Sequence, residues 1–333
     1  MRLCRSGDDS MIDLDKLSRV KVAVLGDVIL DEYIYGRVSR ISPEAPVPVL
    51  EVQSRMETIG GAGNVARNIS SLDGKVELFS VLGDDASADR FFFHAKENCI
   101  KTSGIIRSKT RITSLKQRVV AQNQQIVRID SEKVESINNE LERALSLRVE
   151  SASEECDVLV ISDYDKGVLT DILLDKALSS FRSKDKPIVV DPNVLHFFKY
   201  GRATVVTPNH LQVERVSGKR IRDEKELFST GIEIRKRLGE TALLITRGEE
   251  GMALFSDSGI VKIATVAREV YDVTGAGDTV VALLAMGLGS GYSLELSARI
   301  ANAAAGIAVG KHGTAIVLRE ELEFKLRELS LIE

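Results

Sequence analysis

Val20-Lys21-Val22-Ala23-Val24-Leu25-Gly26-Asp27 is a short apolar run closed by a glycine and a carboxylate. The same form recurs along the chain. Val76–Leu82, Val158–Ile161, Ile188–Val190, Thr204–Val206 and Ala242–Ile245 are further short apolar runs. Runs this short and this apolar suit strands buried on both faces of a sheet. Ala62–Ser71, Ala86–Glu97, Asn138–Val149 and Leu169–Phe181 lie between several of them and read as helices. The alternation predicts right-handed crossovers and an α/β fold with a mainly parallel central sheet flanked by helices.

Two regions break that rhythm. Pro46-Val47-Pro48-Val49-Leu50-Glu51-Val52 alternates, and its prolines suit an edge strand. Thr113–Val120 and Gln124–Asp130 read as strands joined by a polar turn at Gln122-Asn123. Together they predict a small second sheet over residues 32–55 and 108–130, or a hairpin packed on the main domain. Residues 1–14 are expected to be a flexible extension, with Met1 or Met11 as the start, and 15–330 one domain.

The 333 residues carry 45 Lys+Arg against 49 Asp+Glu, a net charge of −4. A slightly acidic chain argues against a nucleic-acid partner, because phosphate backbones want a basic surface. No apolar run reaches the ~18–20 residues of a membrane helix, so no membrane partner is expected. Cys4, Cys99 and Cys156 and the four histidines show neither disulfide nor zinc spacing. Met1–Asp9 has no apolar segment typical of a secretory signal, so a cytoplasmic protein is expected.

The polar residues at the strand ends point to a site. Gly26-Asp27 with Asp31, Ser162-Asp163, Asp191, Thr207-Pro208-Asn209 and Thr246-Arg247-Gly248 close five runs. Ligands of parallel sheets bind outside the carboxyl ends of the strands, so these residues predict one shared polar site.

The segment with the most chemistry is Val270-Tyr271-Asp272-Val273-Thr274-Gly275-Ala276-Gly277-Asp278-Thr279. It precedes Val280–Met286, apolar all round and read as a buried helix. The glycines permit a tight turn, and the first N–H groups of the helix make an anion hole at Gly275, Ala276 and Gly277. At its edge Asp278 is placed to take a proton from an attacking hydroxyl. Gly60-Gly61-Ala62-Gly63-Asn64 is a second glycine-rich turn, suited to close binding of a polar small molecule. Gly61–Ala66 also fits the dinucleotide pattern G-x-G-x-x-A, but no buried first strand precedes it. No P-loop motif occurs. Ala301–Gly310 is a small-residue stretch that lets a flat group, or a packed sheet, approach a helix backbone.

These motifs resemble the ribokinase-like (PfkB) carbohydrate kinases. Gly60-Gly61 with Asn64 is similar to their sugar signature, and Asp272-x-Thr274-Gly275-Ala276-Gly277-Asp278 to their C-terminal signature. Ser39–Val49, Asn123-Gln124-Gln125-x-x-Arg128-x-Asp130, Ser162-Asp163-Tyr164-x-Lys166-Gly167 and Thr207-Pro208-Asn209 narrow the likeness. They resemble the branch that phosphorylates D-glycero-β-D-manno-heptose 7-phosphate on its anomeric hydroxyl.

The resemblance implies a ribokinase-like fold with a small β-lid, lids that pair two subunits, and ATP with Mg²⁺. A monovalent cation is left open. Asp278 takes the catalytic-base position. Asp31, Gly60, Gly61, Asn64, Gln124 and Asp191 take substrate positions. Asn209, Thr246, Gly248, Gly251 and Asn302 fall on the nucleotide side.

Lys116 and Arg118, at i and i+2 on one strand face, join Arg128 and Lys166 as candidates for the 7-phosphate. Two departures stand out. Gln212 replaces the Glu of N-x-x-E that supports Mg²⁺, leaving Glu214 as the compensating carboxylate. Asn193 stands where the branch carries Lys. The nucleotidyltransferase motif H-x-G-H of bifunctional members is absent, so a separate adenylyltransferase is expected to act later in the pathway. A catalytically weak sugar- or nucleotide-binding regulator, another sugar kinase and a dinucleotide oxidoreductase are the alternatives.

Overall fold

The computed structural model of the chain describes residues 11–122, 124–267, 270–311 and 313–332. Met1–Ser10, which hold Cys4 and one expected start, Asn123 of the expected polar turn, and His312, one of the four histidines, lie outside the described residues.

The apolar runs form strands. In chain order the strands are β1 (Lys21–Gly26), β2 (Val28–Ile41), β3 (Pro48–Gly61), β4 (Lys75–Gly83), β5 (Lys101–Ser108), β6 (Leu115–Ala121), β7 (Gln124–Ser131), β8 (Val158–Ser162), β9 (Ile188–Asp191), β10 (Val205–Val206), β11 (Ala242–Thr246), β12 (Met252–Ser256) and β13 (Gly259–Ile263). The helices are α1 (Leu14–Ser18), α2 (Ala62–Ser70), α3 (Ala86–Glu97), α4 (Asn139–Glu155), α5 (Asp171–Arg182), α6 (His210–Ser217), α7 (Glu224–Arg237), α8 (Ala276–Gly289), α9 (Leu294–Ala308) and α10 (Arg319–Glu328).

The main sheet has the order β13-β12-β11-β10-β9-β8-β1-β4-β5. It is parallel from β5 to β11 and closes with the antiparallel hairpin β12–β13. Helices cover both faces. Val22 and Val24 of β1 pack into the core that holds α2, α8 and α9, while Ala23 and Leu25 pack into the core that holds α4, α5 and α7. Burial on both faces is why these strands are continuously apolar rather than alternating.

The second sheet has the order β3-β2-β6-β7, with β2–β6 parallel and the other pairs antiparallel. β2 starts at Val28, two residues past the end of β1, so Asp31 lies within a strand of the smaller sheet and not in a turn after β1. β7 is exposed along its whole length. Within the segment expected as a flexible extension, Ile12 and Asp13 are packed: Ile12 is 6% exposed, its N–H donates to the Leu331 carbonyl at 3.1 Å, and Asp13 caps α1. No helix among the described residues is long and apolar enough to cross a membrane.

Candidate functional site

α8 is buried from Asp278 to Gly287, as its all-round apolar sequence requires. Its N-cap, Gly275, has φ +81°, and a Cβ there would lie 2.9 Å from Asn64 Nδ2, so conformation and space both call for glycine. The Ala276 N–H donates to the Val273 carbonyl at 3.2 Å. Ala276 therefore drops out of the expected anion hole. Among the described residues the N–H groups of Gly275, Gly277 and Asp278 meet no protein acceptor. The space a Cβ on Gly277 would enter is open.

Asp278 is 5% exposed, and both its carboxylate oxygens are engaged. Oδ2 accepts from Asn64 Nδ2 at 2.7 Å and Oδ1 from the Tyr164 hydroxyl at 2.9 Å. Burial pushes its carboxyl up to about 6, with Asp31 adding and the two hydrogen bonds opposing. A carboxylate so placed is ionised at neutral pH and basic enough to accept a proton. Asn64, on α2, is 1% exposed, and its Oδ1 has no donor. Burial also holds the Tyr164 hydroxyl well above its ordinary range, with Asp278 and Asp191 adding, so it stays a donor.

Asp31 faces this group from β2. It pairs with Arg118 of β6, whose guanidinium also lies 5.2 Å from the Tyr33 ring centre. A Cβ on Gly60 would sit 2.0 Å from Asp31 Oδ2, so Gly60 makes room for that carboxylate. Gly61, at φ +59°, turns the chain from β3 into α2.

The other basic candidates gather nearby, each held by an acid. Lys116 Nζ lies 3.0 Å from Asp130 and 3.7 Å from Glu132, Lys166 Nζ 2.7 Å from Glu132, and Arg128 Nε 2.8 Å from Asp130. Gln124 is not brought in. It pairs with Ala121, five residues along β6 from Lys116, which places it roughly 17 Å outward.

Asp191 ends β9. Burial raises its carboxyl well above the usual range, Asp278 and Asp163 add to the shift, and no hydrogen bond reaches its carboxylate among the described residues. Asp163 is committed elsewhere: its Oδ2 accepts from the Tyr200 hydroxyl at 2.5 Å and faces His196 Nδ1 at 2.8 Å.

On the nucleotide side, Asn209 caps α6 by accepting from the Gln212 N–H at 2.9 Å. Gln212 Oε1 in turn accepts from the Asn209 N–H at 2.8 Å, while its Nε2 donates to the Pro192 carbonyl at 2.8 Å. A glutamate has no donor for that last bond, which gives Gln212 a structural reason. Glu214, expected as the compensating metal carboxylate, is engaged within the fold through one oxygen. Its Oε1 accepts from the Ile221 N–H at 2.7 Å and faces His210, tying α6 to the segment after it. Asn193 Oδ1 accepts from the Leu195 N–H at 2.9 Å, a turn that lysine cannot make.

Thr246 bridges to the Asn209 strand end. Gly248 and Gly251 follow at φ +58° and +78°. Asn302 Nδ2 donates to the Ala264 carbonyl at 2.8 Å, so its amide fixes the segment after β13.

The arrangement offers a buried base, a helix N-terminus for an anion, and hard oxygen donors. Among the described residues no three His, Cys, Asp or Glu side chains form a metal cage. Asp191 alone still fits Mg²⁺, which is commonly held by one or two carboxylates and substrate phosphates. From the sequence, Asp27 stands among the strand-end residues of the expected site and Tyr164 within a quoted motif, but neither carries a role there; the structure places the Tyr164 hydroxyl on Asp278 and the Asp27 carboxylate under the Tyr164 loop.

The family model for pfkB family carbohydrate kinases matches residues 20–321. The chain is 45% identical to "Bifunctional protein HldE" of Geobacter sulfurreducens over 304 residues, covering 91% of this chain and 62% of that protein. It is 41% identical to the Helicobacter pylori protein of the same name over 309 residues, covering 92% and 66%. The chain thus spans under two thirds of these relatives.

Two solved structures share the fold. Arabidopsis thaliana ribokinase complexed with ribose and ATP has a TM-score of 0.73 at 17% identity, covering 93% of this chain and 99% of that one. Escherichia coli phosphofructokinase-2 in complex with potassium has a TM-score of 0.76 at 20% identity, covering 94% and 99%.

Proposed function

This chain belongs to the pfkB family of carbohydrate kinases, and on that premise we propose that it phosphorylates D-glycero-β-D-manno-heptose 7-phosphate at the anomeric hydroxyl, giving the 1,7-bisphosphate. The observation that carries the chemistry is Asp278, held by Asn64 and Tyr164 at the open N-terminus of α8. As the sugar C1 oxygen attacks the γ-phosphorus of ATP, its proton passes to Asp278. The new O–P bond forms while the bond to the β-phosphate oxygen breaks, and ADP leaves. The N–H groups of Gly275, Gly277 and Asp278, with the helix dipole behind them, stabilise the charge on the transferring group. Mg²⁺, when bound, neutralises charge on the β- and γ-phosphates, and Asp191 is the carboxylate to hold it.

Asp31 and the donor-less Oδ1 of Asn64 are acceptors for sugar hydroxyls. Gly60 and Gly61 keep the space between them free. Lys116, Arg118, Arg128 and Lys166 supply the charge for the 7-phosphate, competing with Asp130 and Glu132. ATP lies along Asn209, Thr246, Gly248 and Gly251, with Asn302 acting through Ala264.

The product suits ADP-heptose synthesis for lipopolysaccharide. The later adenylyl transfer is assigned to a catalytic unit outside these residues, which fits the word bifunctional in the relatives' name. The reaction belongs in the cytoplasm, where ATP is available. Two smaller sheets pair the chain into a dimer, a reading supported by exposed Val52, Met56, Ile126 and Ile129.

The test is turnover with ATP, Mg²⁺ and potassium on heptose 7-phosphate, fructose 6-phosphate, ribose and fructose. ADP release is followed and the new phosphate located by phosphorus NMR. A 1,7-bisphosphate from the heptose alone is expected. Turnover of another sugar in its place overturns the substrate, and no turnover of any overturns the kinase reading in favour of a binding regulator.

A further inference from the structure

Asp27 does not touch Asp278, yet both hydrogen bonds to Asp278 lead back to it. Asp27 stands between β1 and β2 and is 1% exposed. Its Oδ2 accepts the backbone N–H groups of Tyr164 at 3.1 Å and Lys166 at 3.0 Å, and its Oδ1 accepts that of Val168 at 3.2 Å. Its carbonyl accepts the N–H of Ala62, the first residue of α2, at 2.9 Å. Its own N–H donates to the Ser162 carbonyl at 3.2 Å, at the end of β8.

The Tyr164 loop and the start of α2 therefore hang on one residue. The loop needs this anchor. Asp165 at φ +54° and Gly167 at φ +89° wind it tightly, turning three N–H groups toward one point. An ionised carboxylate accepts all three, whereas an amide presents a single acceptor oxygen. On the other side, a Cβ on Gly61 would lie 2.4 Å from the Asp27 carbonyl, so the close approach of α2 depends on that glycine.

We infer that Asp27 is a positioning residue for the reaction: from the end of β1 it sets Tyr164 through its carboxylate and Asn64 through its carbonyl, and so fixes both donors to the catalytic base. The inference rests on Asp278 being that base. The charged and titratable groups facing Asp278 are Tyr164 from the loop after β8, Asp31 from β2 with its partner Arg118, and Asp191 from β9.

The test is a double-mutant cycle on kcat, both KM values and the acid limb of the pH–rate profile, using Asp27→Asn, Tyr164→Phe and the pair. Each single variant should lose roughly 10–100-fold in kcat with near-normal KM values. The acid limb should move upward, because Asp278 loses a bond that favours its charged form. Asp27→Asn should cost clearly less in the Tyr164→Phe background than alone.

Losses that multiply, or an unchanged kcat and acid limb in Asp27→Asn, overturn the inference. Asp278→Asn separates the two claims: if it retains turnover, the base assignment fails and this inference with it. If it is inactive while Asp27→Asn is normal, this inference alone fails. Should Asp27→Asn not fold, amide exchange on the unmodified chain replaces it. The N–H groups of Tyr164, Lys166 and Val168 should lose protection together as the pH falls through about 6, where the buried Asp27 carboxyl takes up its proton. Loss of protection at unrelated pH values overturns the inference.

Discussion

Asp278 is a carboxylate whose burial works against stability and in favour of its chemistry. Its carboxyl rises from an ordinary 3.8 to about 6, so between those values the folded chain holds a proton that the unfolded chain has released. Stability contributed by this group is therefore present below about pH 4 and is lost as the pH rises through 6. Activity, which needs the ionised base, rises over the same range. Asp278→Asn removes the buried charge, so by thermal melting the variant should gain a few degrees over wild type at pH 7.5 and converge with it near pH 4. A gap that stays constant across pH would contradict the cause assigned to the shift. Lys116 belongs to the same scale. Lys116→Ala should raise KM for the sugar phosphate about tenfold and leave KM for ATP alone, read by steady-state kinetics. An equal rise in both would mean that the smaller sheet fails to close rather than that a phosphate contact is lost.

The N-terminus of α8 is where one element makes the site. Gly275→Ala forces a Cβ into the left-handed region and against Asn64 Nδ2. Its kcat should fall tenfold or more while far-ultraviolet circular dichroism stays native. Element by element, the sequence was readable where a rule of burial governs it. β1, β8, β9 and β11 are buried on both faces over most of their length, so each is dominated by a short apolar run, and β4 keeps that form despite Glu77 and Ser80. β5 was not readable, because Lys101-Thr102-Ser103-Gly104 opens an edge strand with polar residues. The site divides the same way. Gly275, Gly277 and Asp278 are contiguous, and a turn before an apolar helix is a local signal. Asp27 contacts a loop that begins 137 residues later through backbone N–H groups, which leave no mark on side-chain pattern. Glu214 is a different case: its position near Asn209 is suggestive, but its Oε1 is taken by the Ile221 N–H seven residues on, a side-chain-to-backbone bond that residue pattern does not show.

For the whole molecule, the smaller sheet leaves both edge strands, β3 and β7, with exposed apolar side chains. Val52 and Met56 lie on one edge, and Ile126, Val127 and Ile129 on the other. An apolar edge of this kind invites pairing or aggregation unless a second copy covers it. Sedimentation should therefore give a dimer for the wild type and a folded monomer for Ile126→Glu with Ile129→Lys. A wild-type monomer at working concentration would contradict the proposed pairing. Asp278 at the N-terminus of α8 and Asp31 on the smaller sheet face each other where the two sheets join, and the proposed chemistry rests on Asp278. The most direct measurement is the single-turnover rate of phosphoryl transfer for Asp278→Asn against wild type, with ATP and heptose 7-phosphate both saturating. A loss of roughly 10²–10⁴-fold, with both substrates still bound at near wild-type affinity, is the predicted result. Near-normal transfer in the folded variant would contradict it.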